Sequence, residues 1–393
     1  MNRASGRTDR DSLLIYCPLG QGGLAEHTHY QAKALHELGV KVRVIAAKDY
    51  LQGRDASYPV DRVLPSAPAG ARGLLRKIRH ALWLATVPWL LAAWIWRVRP
   101  ASVLLASYSE YLSPLWVWPH RLLRRGLGIR YGANLHDPVR DFQLGPAWWH
   151  RLSVRLAFDS LDYVIVHQAE LPPGTVPARV AVHEAPVGLY EITRPSASSP
   201  RIVNLRPNSD ARVLLCFGHI RDNKNIDLLI AALPQFPRLH LVVAGPAAAG
   251  GQRPEVFYRD LARRSGVEER FRMMAQFIAD EDVAAYFGEA DWIAVTYSAS
   301  FRSQSGVLNI AARARKQVLA SSGPSPMRAV VERFGLGVFV EPDSVDAIVR
   351  GLRELIEHSP VPDWVGYERY ASWTANARTV MAAAALGESP TRG

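Results

Sequence analysis

Cysteine is nearly absent: Cys17 and Cys216 are the only two in 393 residues. Each lies in an apolar run that reads as a strand. This predicts two small buried thiols, excludes a disulfide scaffold, and fits a reducing, cytoplasmic setting. Long hydrophobic runs are also missing. The longest, Ala81 to Trp96, has 16 residues with Pro88 in its middle. That is below the roughly 20 needed to cross a bilayer, so no transmembrane helix is expected. Met1 to Asp11 is polar and charged, without an apolar core or cleavage site, and predicts no export signal. No repeat shorter than a domain is visible.

Acidic residues are scarce in one stretch. Residues 62–155 hold 14 Arg or Lys against Glu110, Asp137 and Asp141, which accounts for the whole net charge of +11. The same stretch holds eight of the 11 tryptophans. Arginine with tryptophan suits an anionic membrane surface, where rings sit among headgroups and each nearby cation contributes about 1 kcal/mol. Nucleic acid is the competing partner, and no motif favours it.

What is present is a length for about two domains, with 48% apolar and 21% charged residues, as expected of packed globular units. Two halves open alike, with a short apolar strand, a glycine-containing turn and an amphipathic helix, the unit of a doubly wound sheet. In the first, Ser12–Cys17 is strand, Gly20–Gly23 turn and Ala25–Leu38 helix; further strands are Val42–Ala46, Ser102–Ala106, Ile129–Leu135 and Tyr163–Val166. In the second, Ala211–Phe217 is strand and Ile226–Leu233 helix, with strands at His240–Ala244, Arg270–Met274 and Trp292–Val295. The fold class is therefore α/β with two Rossmann-like domains. The expected boundaries are 12–193 for the N-terminal domain, 194–210 for a Pro, Ser and Asn-rich linker and 211–360 for the C-terminal domain. A tail over 361–386, with Trp373 as anchor, is expected to pack back across the junction.

Four segments carry candidate chemistry. Gly20-Gln21-Gly22-Gly23-Leu24-Ala25, with Asp49 after the second strand, formally fits a dinucleotide pattern, and equally fits a tight turn capping a helix. Phe217-Gly218-His219-Ile220-Arg221-Asp222-Asn223-Lys224-Asn225 places two cations three apart on a strand-to-helix loop. At about 4 Å and an effective dielectric near 20, each contributes on the order of 4 kcal/mol of gross attraction to a phosphate charge. Phe301 to Ala311 puts small and polar residues before a helix, so the amides of Ser305, Gly306 and Val307 form a second anion site. Asn134-Leu135-His136-Asp137 closes a strand with a histidine and an acid, at the end where such sheets bind ligands. His167 ends another strand similarly. No Cys, His or carboxylate spacing typical of a metal site is seen beyond His136-Asp137.

Taken in order, these segments resemble the family 4 glycosyltransferases, over about Leu13 to Trp373. Gly22-Gly23-Leu24-Ala25-Glu26-His27 resembles the family's opening glycine loop, and Phe217 to Asn225 its Arg and Lys loop. Gln276-Phe277-Ile278-Ala279-Asp280-Glu281-Asp282-Val283 is similar to the segment whose backbone meets the nucleotide base. Ser303-Gln304-Ser305-Gly306-Val307-Leu308-Asn309 resembles the start of the donor helix in one branch. The resemblance implies a GT-B fold, two Rossmann-like domains facing across a cleft, and transfer of a sugar from a nucleotide diphosphate donor with retention. Glycan or lipid-linked acceptors follow as partners.

By the same resemblance, His136, Arg221 and Lys224 are the expected catalytic residues, Arg221 and Lys224 contacting the donor diphosphate, and His136 with Asp137 lies on the acceptor side. Gly22, Gly23, Gly218, Gly245, Phe277, Ile278, Arg302, Gln304, Ser305, Gly306 and Val307 border the donor, and the nucleotide sugar is a co-substrate, with no resident cofactor or metal. The pattern departs at two positions. Where the family often has paired glutamates, this chain has Arg302 and Ile310, which implies either an acidic donor sugar or an altered site. Where it usually has Gly and Pro after the helix, Arg315 and Gln317 stand. A catalytically silent partner of another transferase at the membrane, and a nicotinamide-dependent oxidoreductase, are the alternatives. The location implied is cytoplasmic and peripheral to the inner face of the cell membrane.

Overall fold

The computed structural model describes residues 9–68, 73–107, 110–136, 145–167, 171, 174–191, 204–247 and 251–386. Asp137 and the first part of the expected linker, 194–203, lie outside the described residues. The chain divides into two units, one of residues 1–188 with 372–393 and one of 189–371. Each is a wholly parallel α/β sheet with helices on both faces.

Unit 1 contains β1 (Asp9–Cys17), α1 (Gly23–Glu37), β2 (Lys41–Ala47), β3 (Val60–Leu64), α2 (Gly73–Val98), β4 (Pro100–Leu105), α3 (Val117–Leu127), β5 (Arg130–Leu135), α4 (Ala147–Phe158), β6 (Tyr163–Val166) and β7 (Ala181–Glu184). The strand order is β3-β2-β1-β4-β5-β6-β7, all neighbours parallel. Central strands are apolar on both faces because both faces are covered. Leu13, Ile15 and Leu104 enter one buried cluster, and Leu14, Tyr16, Val103 and Leu105 the other. Both cysteines are free and buried, as their apolar strands imply.

Unit 2 contains β8 (Arg212–Phe217), α5 (Ile226–Ala232), β9 (Leu239–Ala244), α6 (Glu255–Arg264), β10 (Phe271–Met274), α7 (Asp280–Glu289), β11 (Trp292–Thr296), α8 (Gly306–Arg313), β12 (Val318–Ser321), α9 (Met327–Phe334), β13 (Gly337–Phe339), α10 (Val345–Glu357) and α11 (Trp364–Tyr370). Its order is β10-β9-β8-β11-β12-β13, again all parallel. The last helix, α12 (Trp373–Ala384), returns to unit 1 and packs on α1. Trp373 stacks on Tyr30 with centroids 5.5 Å apart, and Gln31 donates to Asn376 Oδ1 at 2.8 Å.

One sequence expectation is corrected. The apolar run around Pro88 does not fall short: α2 continues through Pro88 for 26 residues, and Ile78–Val98 is long and apolar enough to cross a membrane by length and composition. His80 and Arg97 flank the apolar run, but isolated polar residues do not end a helix. Its inner stripe, Trp83, Val87, Leu91 and Ile95, is buried in the unit 1 core at helical spacing. Its outer stripe, Leu75, Leu82, Trp89 and Trp96, one residue in seven, is exposed.

Candidate functional site

In open parallel sheets the ligand crevice lies where strand order reverses, beyond the carboxyl ends of the two diverging strands. In unit 2 those strands are β8 and β11. The loops that follow them are 218–225 and 297–305, two of the segments singled out from sequence.

The loop after β8 is shaped by two glycines. Gly218 has φ +86, and Gly245, at φ +147, packs so closely that a Cβ there would clash with the Gly218 carbonyl. A Cβ placed on Gly218 would lie 3.4 Å from Lys224 Nζ and 3.7 Å from Val307 Cγ2. The ammonium and the first turn of α8 therefore flank the same glycine. Lys224 is buried, with its Nζ donating to the Phe217 carbonyl. Burial pushes this ammonium below the usual lysine range, and Arg221 pushes it further. His219 is also pushed down, by burial and then by Arg221 and Lys224. Burial is the larger cause in both cases, and the neighbouring cations add to it. Arg221 is exposed and has no ion-pair partner among the described residues.

A contact not foreseen from sequence, between Asn225 and Asp343, braces this loop. Asn225 and Asp343 both adopt left-handed backbone, at φ +54 and +58, a conformation that Asn and Asp tolerate better than most side chains. Asn225 Nδ2 donates to Asp343 Oδ1 at 3.0 Å, and the other Asp343 oxygen accepts from the Ala299 amide at 2.9 Å. Thr296 Oγ1 donates to the Lys224 carbonyl at 3.0 Å. The two loops are thus fastened together.

Ser305 is the N-cap of α8, accepting from Leu308 N at 3.3 Å, and its hydroxyl meets Tyr297 Oη at 3.1 Å. Tyr297 stacks on Phe301 at 3.9 Å. The cap leaves the first amides of α8, next to Gly306 and Val307, without intrahelical partners and able to bind an anion. Gln304 lies beside them half-buried, while Arg302 is exposed. Ile310 packs against the core, and Asn309 is buried, accepting from Tyr367 Oη at 2.7 Å. Ile310 is apolar where the family pattern would place a carboxylate. Arg315 has φ +53, which explains why a glycine suits that position. After β10, Ile278 is buried and Phe277 is 75% exposed, a free aromatic face at the edge of the sheet.

In unit 1 the order reverses between β1 and β4. Gly22, at φ +87, is the N-cap of α1, and nothing lies within 4 Å of a Cβ built on Gly22 or Gly23. The helix N-terminus is therefore open. Asp49 is turned onto Gly20 and accepts from Ser66 at 2.5 Å. It braces the turn, which removes the feature that favoured a dinucleotide ribose contact.

His136 does not stand alone. His27, His136 and His167 come together, one ring nitrogen of each within 4.8 Å of the others. His167 Nδ1 donates to the Ala185 carbonyl at 2.8 Å, so its Nε2 accepts, and His136 Nδ1 at 3.1 Å is the donor. His136 Nε2 is then a buried acceptor without a partner, and neither nitrogen of His27 has one. Burial pushes His136 down to about 3, with His167 adding to it, and pushes His27 well below the usual range. Held neutral, the three rings offer nitrogen ligands that could hold a transition-metal ion, although sequence spacing predicts no metal-binding set. Its members come from a helix and two strand ends far apart in the chain, so no local pattern marks it.

Residues 201–380 match the family model for glycosyl transferases group 1. A search of curated proteins gave no match. Among solved structures, the chain is similar to a sucrose-phosphate synthase from Thermosynechococcus elongatus, with TM-score 0.62, 17% identity and 95% and 94% of the two chains covered. It is similar to WaaG, a glycosyltransferase involved in lipopolysaccharide biosynthesis, with TM-score 0.59, 17% identity and 97% and 100% covered. Anabaena HepE, solved in complex with UDP and glucose, gives TM-score 0.59, 18% identity and 95% of each chain covered. The chain thus has the GT-B fold of two Rossmann-like α/β domains, and its residues 201–380 match the glycosyl transferases group 1 model.

Proposed function

We propose that the protein transfers a sugar from a nucleotide diphosphate donor to a lipid-linked or other membrane-associated glycan, with retention of configuration, at the cytoplasmic face of a membrane. The observation that carries this reading is the buried Lys224 ammonium beside the open first turn of α8, with Gly218 and Gly245 making room between them. Arg221, Lys224 and the amides of Ser305 to Val307 neutralise the charge that develops on the leaving diphosphate. The catalysis is electrostatic. The exposed Phe277 ring and the backbone at Ile278 receive the base. The complex of HepE with UDP supports a nucleotide of this class.

A second reading is favoured by Arg302 and Ile310, which stand where the family often has glutamates. In that reading the chain is a silent partner of an active transferase. A thermal-shift panel of nucleoside diphosphates and their sugars separates the two. The transferase reading expects at least one to raise the melting temperature by several degrees, about 2–4 °C for each 1 kcal/mol of binding in a domain of about 150–250 residues. A flat panel would leave only the silent partner.

The membrane side of the proposal rests on α2. A helix apolar on both faces, with its outer stripe exposed, needs a second apolar surface. The surrounding stretch is also the basic one. Sedimentation with vesicles is expected to show binding that strengthens with anionic lipid and weakens as salt rises. Binding indifferent to both would remove the electrostatic part of this reading.

A further inference from the structure

Unit 1 carries a second basic site that the donor chemistry does not use. Arg121, Arg124 and Arg125 from α3, Asp159 at the end of α4, and Arg179 line an open pocket of about 250 Å³. That is below the roughly 300–1,000 Å³ of cofactor-sized sites, and suits a small anion. Asp159 is already engaged by Arg179, by Arg121 at 3.5 Å and by Arg155 at 3.8 Å. Asp162 is held by Arg124, whose Nε lies 3.1 Å from it. Five guanidinium groups against two carboxylates leave three positive charges.

The C-terminus of α3 favours cations in its last turn, which accounts for Arg124 and Arg125. It does not account for Arg179, from another segment, nor for Arg121, whose Nε is buried with no hydrogen-bond partner. Burial pushes the Arg121 guanidinium below its usual range; Asp159 acts against this, and Arg125, Arg179 and Arg124 act with it. Arg125 has no ion-pair partner among the described residues.

The approach to the pocket has a matching pattern. On α3, Trp118, Leu122 and Arg125 stand at i, i+4 and i+7 and are exposed; on α4, Trp148, Leu152 and Arg155 do the same. Arg121 lies over the Trp118 ring at 5.4 Å. Two helices thus present the same outward stripe, apolar first and arginine last, and both arginine ends stand beside Asp159. Apolar stripes suit the headgroup and acyl boundary, and the crowded forks suit an oxygen-rich anion.

We propose that this pocket seats the terminal phosphate of an anionic membrane lipid, an inference that rests on the membrane reading above. Guanidinium forks grip a phosphate in two places, whereas lysine offers only a point charge. The test compares the full chain with the double variant Arg121→Lys, Arg179→Lys, which keeps every charge. Both are sedimented with phosphatidylcholine vesicles containing phosphatidic acid or, at equal mole fraction, phosphatidylglycerol, whose phosphate is capped.

The wild type is expected to prefer phosphatidic acid, and the variant to lose about tenfold in affinity for it while binding phosphatidylglycerol unchanged. Equal binding of phosphatidic acid by both proteins would overturn the pocket and leave the membrane reading standing. Loss of binding to both lipids by the wild type would remove both. Inorganic phosphate displacing the protein from phosphatidic acid vesicles as effectively as soluble short-chain phosphatidic acid would show that a free anion is the ligand, and would overturn the lipid assignment. Unchanged melting temperature of the variant establishes that it is folded.

Discussion

Lys224→Ala is expected to lower the rate of sugar transfer by about two to three orders of magnitude, the usual cost of deleting one preorganised charge from a site that stabilises a leaving anion. The ammonium is buried beside the α8 N-terminus, where its attraction to a developing charge is little screened by water. The fall is expected in kcat more than in KM, because charge accumulates on the diphosphate as its bond to the sugar breaks. The same substitution orphans the Phe217 carbonyl and leaves a cavity, costing about 1–3 kcal/mol of stability. Lys224→Met fills the volume without the charge and separates the effects. If Lys224→Met transfers sugar at the wild-type rate, the donor-site assignment is wrong. Asn225→Ala, which releases the latch to Asp343, is the milder companion and is expected to loosen the loop without removing charge.

Acid is expected to unfold unit 1 early. His27, His120 and His136 are all pushed down by burial, His120 to about 4 and His136 to about 3. Each stays neutral in the fold and takes up a proton near pH 6.5 once unfolded. Below that value the unfolded chain binds more protons, so stability falls as pH falls. It is complete above about pH 6.5 and is lost down towards the folded values. Three such groups give a slope of about 4 kcal/mol per pH unit, against a total stability of about 5–15 kcal/mol. Urea midpoints at pH 7, 6 and 5 measure it. His120, which donates from Nε2 to the Pro88 carbonyl at 2.9 Å, ties α3 to α2 and is the informative control. His120→Gln should flatten the curve by about one proton. A midpoint independent of pH over this range would mean that the histidines are not held neutral.

The sequence shows most clearly what is local. The segments Leu13–Cys17, Tyr163–Val166, Val213–Phe217 and Trp292–Val295 are continuous apolar runs because both faces of their sheets are covered, and the loops after these strands carry the glycines, cations and caps that the sheet topology turns into a site. Strands β3 and β7 are harder to read: Val60–Leu64 is largely half-buried or exposed, and three of the four residues of β7 are exposed, as edge positions allow. Helix α3 hides behind Pro119 and its arginines. Contacts that join distant segments leave no trace in spacing. The histidine group, the Asn225–Asp343 latch and the Gln31–Asn376 bond arise only when the sheets are assembled. The family pattern supplied the role of the donor-loop cations, and the left-handed backbone at Arg315 accounts for the glycine the family usually has there, not for the arginine.

The central claim, that a diphosphate site in unit 2 drives sugar transfer, is tested most directly by release of nucleoside diphosphate from a panel of nucleotide sugars. Acidic sugars belong in the panel because Arg302 stands exposed beside the α8 turn. The account predicts release from at least one donor by the wild-type chain, and about a hundredfold less or lower with Lys224→Ala. Equal release by both proteins, or stable binding of a donor that is never turned over, would contradict it.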